Sequence, residues 1–351
     1  MNAPNPARPA HSTRPAGQPS GPLTSAELAA AVPDPEGRER YRRIWHGMYR
    51  RDDQPDDLLL RSRALARTWP EGVLRGRSAA LLWGDDSVPR DALPEIWLPA
   101  TRKSRPGRVY RYGSMPAWAV TQIDGLSVTS PLRTCRDLAG DLSLEDAVVS
   151  VERLCAVVAE LPAQLQAAVD HPAGRGAQRF VEVVRAVEPR SGSPVTTRAR
   201  LTLAAAGCEG FGHGHRVRLA TRTVELPLAD PAARCVVFAP GNRPSAGLAD
   251  AARYGAQLAQ AGWTVIVVRG RSGPPGAAAI EAGAGAGAEA APLAALGPAP
   301  ASSPAAAPVA ARAAAALRAR WPATEVLAAT FGEPTAGPTA DPHGMWGGSQ
   351  N

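Results

Sequence analysis

Lysine, phenylalanine and paired cysteines are all scarce in this chain. Its 351 residues include 4 Cys and 4 Phe, and arginine far outnumbers lysine. Cys135, Cys155, Cys208 and Cys235 lie far apart with no Cys-x-x-Cys spacing. That argues against a zinc knuckle or a redox pair and leaves buried thiols in a reducing compartment as the expectation. No run of about 18 apolar residues occurs and the N-terminus lacks an apolar core of signal-peptide length, so a soluble, cytoplasmic protein without a membrane partner is expected. Also missing are a Gly-x-Gly-x-x-Gly or Walker loop, a nucleophile elbow and a zincin helix, which removes the commonest phosphate-cradling and hydrolytic signatures.

What is abundant is arginine, glycine and proline. With 34 Gly and 35 Pro, much of the chain cannot build a dense core. The net charge of +7 and a pI near 9.8 suit a polyanion partner, nucleic acid first. At this length, and with domains of about 100–200 residues, two domains are expected. Residues 1–24 are rich in Pro, Ala, Ser and Gly without periodicity and read as a disordered leader. From 271 to 351 the composition is again Gly, Ala and Pro, with one helix expected at 310–321.

Between these ends, 25–140 reads as an α+β region, 141–192 as a helical connector and 193–270 as a small α/β domain of alternating strands and helices. A first helix is expected from Ser25 to Ala31, stopped by Pro33-Asp34-Pro35, and a second from Arg38 to about Ile44. A helix follows over 57–66, then another through Gly76-Arg77-Ser78-Ala79-Ala80-Leu81-Leu82-Trp83-Gly84, with Leu81, Leu82 and Trp83 as its buried face and Gly84 as its stop. Glu95–Pro99 and Arg108–Tyr112 alternate as strands around a basic, hairpin-like loop. Asp124-Gly125 marks a turn between two further strands. Ser130-Pro131 opens a helix on which Arg133 and Asp137 are four apart on one face.

These segments resemble the AbiEi-type antitoxin proteins, through His46-Gly47-Met48-Tyr49, the Gly76–Gly84 helix and Ser130-Pro131-Leu132-Arg133-Thr134-Cys135-Arg136-Asp137-Leu138-Ala139. The resemblance implies a winged helix-turn-helix ahead of residue 55, here shortened and degenerate, and a cognate toxin as a partner. A working recognition helix would sit in a major groove. Arg42 and Arg43 are then candidates for phosphate contact. A second group is Arg102, Lys103, Arg105, Arg108 and Arg111, beside Trp97, Tyr110 and Tyr112, where cations can meet phosphates and rings can stack on bases.

The later domain begins at Ser193-Pro194 and ends in Ala261-Gly262-Trp263-Thr264-Val265. It resembles the very-short-patch-repair-like endonuclease domain of the PD-(D/E)XK nuclease fold. That family carries carboxylates where this chain has Thr196, Glu225 and Phe238-Ala239-Pro240-Gly241. Phosphodiester hydrolysis with a hard cation needs converging carboxylates, and 235–240 contains none. A kept fold with lost chemistry is therefore expected, with no metal and no cofactor. The alternative is a rebuilt Mg²⁺ site using Glu225, Asp230 and Asp250, and a third reading is an eroded protein-interaction scaffold. His213 and His215, alternating with glycines and lacking an acidic companion in sequence, read as a flexible loop.

Overall fold

Two-residue turns of fixed chemistry set much of the first half of the molecule. Asp124 (φ 49°) and Gly125 (φ 75°) both sit in the left-handed region, as a type I′ turn requires. They join Val120–Ile123 to Leu126–Thr129 as an antiparallel pair in the expected register. The computed structural model describes residues 20–189, 191, 193–219, 222–239, 246–270, 306–321 and 324–329, with backbone alone for 246–252, 269–270, 306–307 and 324–329. The structure is mixed α/β, in two units, Met1–Arg185 and Ala186–Asn351.

The first unit starts with β1 (Leu23–Thr24), α1 (Ser25–Ala31), α2 (Pro35–Arg38), β2 (Tyr41–Trp45) and β3 (Met48–Arg51). Thr24 and Glu27 form a capping box on α1. The three strands form one sheet in the order β1-β3-β2. The helix expected from Arg38 to Ile44 is therefore corrected. Tyr41-Arg42-Arg43-Ile44-Trp45 pairs antiparallel with β3, because its aromatic and β-branched residues fit a pleated surface better than one more turn. What remains helical there is the four-residue α2, which buries nothing and is too short to read a groove.

Next come α3 (Leu58–Thr68), β4 (Val73–Leu74), α4 (Gly76–Trp83), β5 (Glu95–Leu98), β6 (Val109–Tyr112), a 3₁₀ turn (Ala117–Ala119), β7 (Val120–Ile123) and β8 (Leu126–Thr129). A five-stranded sheet forms in the order β6-β5-β4-β8-β7. Its core is Leu65, Leu74, Ala79, Ile96, Leu98 and Val128. Gly84 ends α4 in the left-handed conformation, as expected. The face of α4 that is buried carries Ser78, Ala79 and Ala80, whereas Leu81, Leu82 and Trp83 are only half-buried. Strands β5 and β6 are parallel, so the basic segment between them is a crossover and not the hairpin its length suggests.

Four helices close this unit: α5 (Pro131–Asp141), α6 (Leu144–Val157), α7 (Leu161–Asp170) and α8 (Ala177–Ala186), whose last residue falls just past the unit boundary. Pro131 occupies the first turn of α5, and Arg133 pairs with Asp137 at 2.9 Å, as the spacing predicts. Ser130 is the N-cap residue, yet its hydroxyl makes no capping bond.

The second unit runs α9 (Pro194–Ala205), β9 (His215–Arg218), β10 (Thr223–Leu226), β11 (Ala229–Asp230), β12 (Cys235–Phe238), α10 (Ala246–Gln260), β13 (Thr264–Gly270), α11 (Ala306–Arg320) and β14 (Thr324–Ala329). Strands β9 and β10 form their own antiparallel pair, while the others make a sheet in the order β11-β12-β13-β14. Strands β12 and β13 are parallel, joined through α10 as a crossover unit. The helix expected at 310–321 is present as α11, beginning earlier at Ala306, whereas β14 falls where only low-complexity tail was expected. Ala310, Ala313, Ala314 and Leu317 pack against Ala199, Leu203, Cys235, Val237 and Ile266. Small side chains let that helix lie close to the sheet, so an Ala-rich stretch with little apparent apolar weight becomes core. The leader expected over 1–24 is corrected at its end, where Leu23–Thr24 forms β1 by pairing with Met48 and Tyr49 of β3; residues 1–19 and the tail beyond 329 lie outside the described residues.

Candidate nucleic-acid interface

A parallel β5–β6 pair obliges residues 99–108 to run back from the end of β5 to the start of β6, and this crossover carries four of the cations singled out in the sequence. It is pinned from both ends. Tyr112 Oη donates to the Arg102 carbonyl at 2.7 Å, and the Arg102 guanidinium lies 5.1 Å from the Trp69 ring centre. Arg102 also approaches Glu71 at 3.7 Å. At the other end, Arg108 stacks over Trp45 at 4.5 Å. Burial is the main cause that lowers the pKa of Arg108, with the charge of Arg105 adding to it. An arginine stays protonated even so, and Arg108 Nε is buried without a partner.

Arg102, Lys103, Arg105 and Arg108 line a cleft of about 470 Å³ with His46, Thr68, Trp69 and Tyr110. Its aromatic wall is fixed by its own bonds. Trp69 Nε1 donates to Tyr110 Oη at 3.4 Å, and the two rings meet edge to face at 6.3 Å. Trp45 Nε1 donates to Thr68 Oγ1 at 3.1 Å, and that hydroxyl donates to the Ala64 carbonyl. Arg43 reaches the rim, with its guanidinium 2.9 Å from His46 Nδ1. Lys103 and Arg105 are exposed.

Two predicted residues stand apart from this group. Arg111 bonds Asp141 at 3.2 Å, and its neighbours Tyr110 and Tyr112 occupy the opposite side of β6 by strand alternation. It therefore leaves the cleft for an internal ion network. Arg42 is exposed on β2, across the ladder from Arg50. Sequence reasoning missed Trp45, Thr68 and Trp69, which come from β2 and the end of α3. Nothing local marks them, since only the tertiary fold brings them to the crossover.

That internal network is centred on Arg75, the N-cap residue of α4. Its guanidinium lies 2.8 Å from Glu95, 3.2 Å from Asp137 and 2.6 Å from Asp141. Arg133 and Arg111 complete it, giving three cations and three carboxylates. Burial raises the pKa of Glu95 despite the attraction of Arg75. For Asp141, burial acts upward as well, but Arg75 and Arg111 outweigh it and hold the carboxyl below its ordinary value. This cluster is structural, and it is internally neutral.

In the second unit, the two described acids of the alternative nuclease site, Glu225 and Asp230, are held in different surroundings. Glu225 projects to solvent from β10 between the buried Val224 and Leu226, facing Arg216 at 3.4 Å. Asp230 is buried, 7 % exposed. It accepts the Ala233 N–H at 2.9 Å and sits so close to Gly210 that a β-carbon there would come within 2.4 Å of its Oδ2. Asp250 lies on α10, with its side chain outside the described residues. Thr196 bonds the Ser193 hydroxyl at 2.7 Å, and Phe238 is core.

The histidine segment, expected to be a loop, makes several contacts and enters β9 at His215. His213 is clamped between the Pro227 carbonyl at 2.6 Å and Glu188 at 3.3 Å. Gly212 exchanges two backbone bonds with Ala229, and His215 packs at a tilt against Trp263, ring centres 5.6 Å apart. Among the described residues, no group of three or more His, Cys, Asp or Glu could hold a metal ion. Nor is any helix among them long and apolar enough to cross a membrane.

No family model matches the chain, and no curated protein does. Among solved structures, it is similar to the crystal structure of the RV2827C protein from Mycobacterium tuberculosis, at 18% identity over 46% of this chain and 71% of that one. The TM-score is 0.32, which is too low for the likeness to carry an argument about fold or function.

Proposed function

We propose that this chain is a nucleic-acid-binding protein, with DNA as the ligand and no catalytic chemistry of its own, serving an antitoxin-like regulatory role. The observation that carries the binding is the crossover cleft. Four cations, Arg102, Lys103, Arg105 and Arg108, surround fixed Trp and Tyr rings, with Glu71 the acid drawn to Arg102. Cations of this kind supply the salt-sensitive, sequence-independent part of nucleic-acid affinity, and rings supply stacking on exposed bases. The non-catalytic half rests on the divergent roles of Glu225 and Asp230, one in solvent against Arg216 and the other capping a turn. A cognate toxin as partner follows from the family resemblance.

The test is anisotropy of a labelled duplex at two salt concentrations with Mg²⁺ present, followed by a denaturing gel. Replacing Arg102, Lys103 and Arg105 with glutamine is expected to lower the log–log salt slope by about one for each phosphate that is no longer neutralised. An unchanged slope moves the binding surface elsewhere. DNA cleavage that disappears with Glu225→Ala overturns the non-catalytic reading.

A further inference from the structure

The first unit has a second basic cleft, of about 460 Å³, walled by α5, the start of α8 and the loop between α7 and α8. It shares no lining residue with the crossover cleft. We propose that this cleft binds a nucleoside 5′-phosphate, either free or as the 5′-terminal unit of a strand.

Its cations are Arg133, Arg136 and Arg175. Arg133 is neutralised by Asp137 at 2.9 Å, inside the balanced network of three cations and three carboxylates. Arg136 is held differently. It donates to the Ala173 carbonyl at 3.1 Å and stacks over Phe180 at 4.7 Å, while its Nε is buried without a partner. Arg175 is exposed in the glycine-flanked loop, between Gly174 (φ 88°) and Gly176 (φ 80°). Neither Arg136 nor Arg175 has an acidic partner among the described residues. The cleft therefore carries two uncompensated charges, and a phosphate monoester brings about −1.5 to −2 at neutral pH where a carboxylate brings one. Guanidinium forks also match the spacing of phosphate oxygens.

The ring end is Trp118, 59% exposed. The backbone next to it is bonded on both sides. Ala119 N–H donates to the Pro116 carbonyl, and the Ala119 carbonyl accepts from Ser130 N–H, both at 2.9 Å. An exposed indole lining an arginine cleft is suited to stacking on a base. The volume lies within the range of small-ligand sites, roughly 300–1,000 Å³.

Isothermal titration of the full chain with AMP, inorganic phosphate, adenosine and the aromatic carboxylate phenylacetate tests this, alongside single strands bearing a 5′-phosphate or a 5′-hydroxyl. AMP is expected to bind at least about ten-fold tighter than inorganic phosphate, from the worth of one stacked base. Trp118→Ala should bring AMP down to the level of inorganic phosphate, and Arg175→Gln should weaken both. These side chains are exposed, so circular dichroism should be unchanged. AMP binding supports a free nucleotide as the source. Preference for the 5′-phosphorylated strand without AMP binding supports a strand end. The Arg102, Lys103 and Arg105 glutamine variant should retain AMP binding, which separates this cleft from the proposed duplex interface. The proposal is overturned if adenosine binds as well as AMP, if phenylacetate binds better than AMP, if Trp118→Ala and Arg175→Gln both behave as wild type, or if no probe binds.

Discussion

Gly76 shows how one missing methyl group organises an ion network. Its φ of +51° and the position of Glu95, whose Oε2 would lie 2.5 Å from an added β-carbon, leave no room for a side chain. Gly76→Ala should therefore strain the start of α4 and push Glu95 off Arg75. A loss of about 3 kcal/mol is expected in urea melts, the scale of a broken buried ion pair. Asp141 gives the pH signature of the same cluster. Because its folded pKa is depressed below 3.8, its stabilisation is present above the unfolded value and is lost as pH falls through the folded one. Asp141→Asn should cost about 2 kcal/mol at pH 7, and the gap to wild type should narrow as pH falls below the ordinary aspartate value, in melts across pH. The thiols make a third prediction. Burial pushes Cys155 and Cys235 up to about 12 and raises Cys135 and Cys208 as well. All four are buried and free. A thiolate reagent at pH 8 should thus label the native protein slowly and the urea-unfolded protein fully, and rapid labelling of native protein would contradict the burial.

At the scale of elements, the crossover 99–108 matters because its connection is parallel. A hairpin would project its cations into solvent as a free turn; the crossover lays Arg102 over Trp69 and Arg108 over Trp45, with Lys103 and Arg105 exposed between them. Replacing Trp69 with leucine should keep the β5–β6 pairing but release Arg102 from its stacking partner, with single-strand affinity falling by about 1–3 kcal/mol. Equal affinity of the variant for single strands would remove the aromatic wall from the interface. The cations of this site are legible in the chain, since Arg102, Lys103, Arg105 and Arg108 are close in sequence. Their rings are not, because Trp45 and Trp69 arrive from separate elements and nothing in local spacing reports a tertiary neighbour. The same division holds for the helices. Residues 58–68 and 131–141 declare themselves by capping and periodicity, and the α9 to β13 order is legible from alternation. Tyr41–Ile44 reads as helix because its arginines hide a strand pattern behind helix-compatible residues. Residues 306–329 read mostly as tail because alanine carries little hydrophobic weight by composition and gains it only when packed closely.

For the molecule as a whole, that Ala-rich segment changes what counts as a complete unit. Strand β13 is paired on both sides, with β12 by parallel bonds and with β14 by a six-residue antiparallel register from Val265–Ala329 to Gly270–Thr324. Without 306–329 it would become an exposed edge of Val, Ile and Val residues, the kind of strand that invites aggregation. At the same time the buried Leu203, Val237 and Ile266 would lose the Ala310, Ala313, Ala314 and Leu317 face that covers them. Uncovering several fully buried aliphatic side chains costs about 1.5–3 kcal/mol each, which together exceeds much of the roughly 5–15 kcal/mol that holds a typical domain folded. A chain ended at residue 305 should therefore lose the cooperative unfolding of the Ala186–Asn351 unit in calorimetry while keeping that of Met1–Arg185, where both basic clefts lie. If the shortened chain still shows salt-sensitive DNA binding, the interface belongs to the first unit alone. Loss of binding with the first unit's transition intact would instead assign a part of the interface to the second unit.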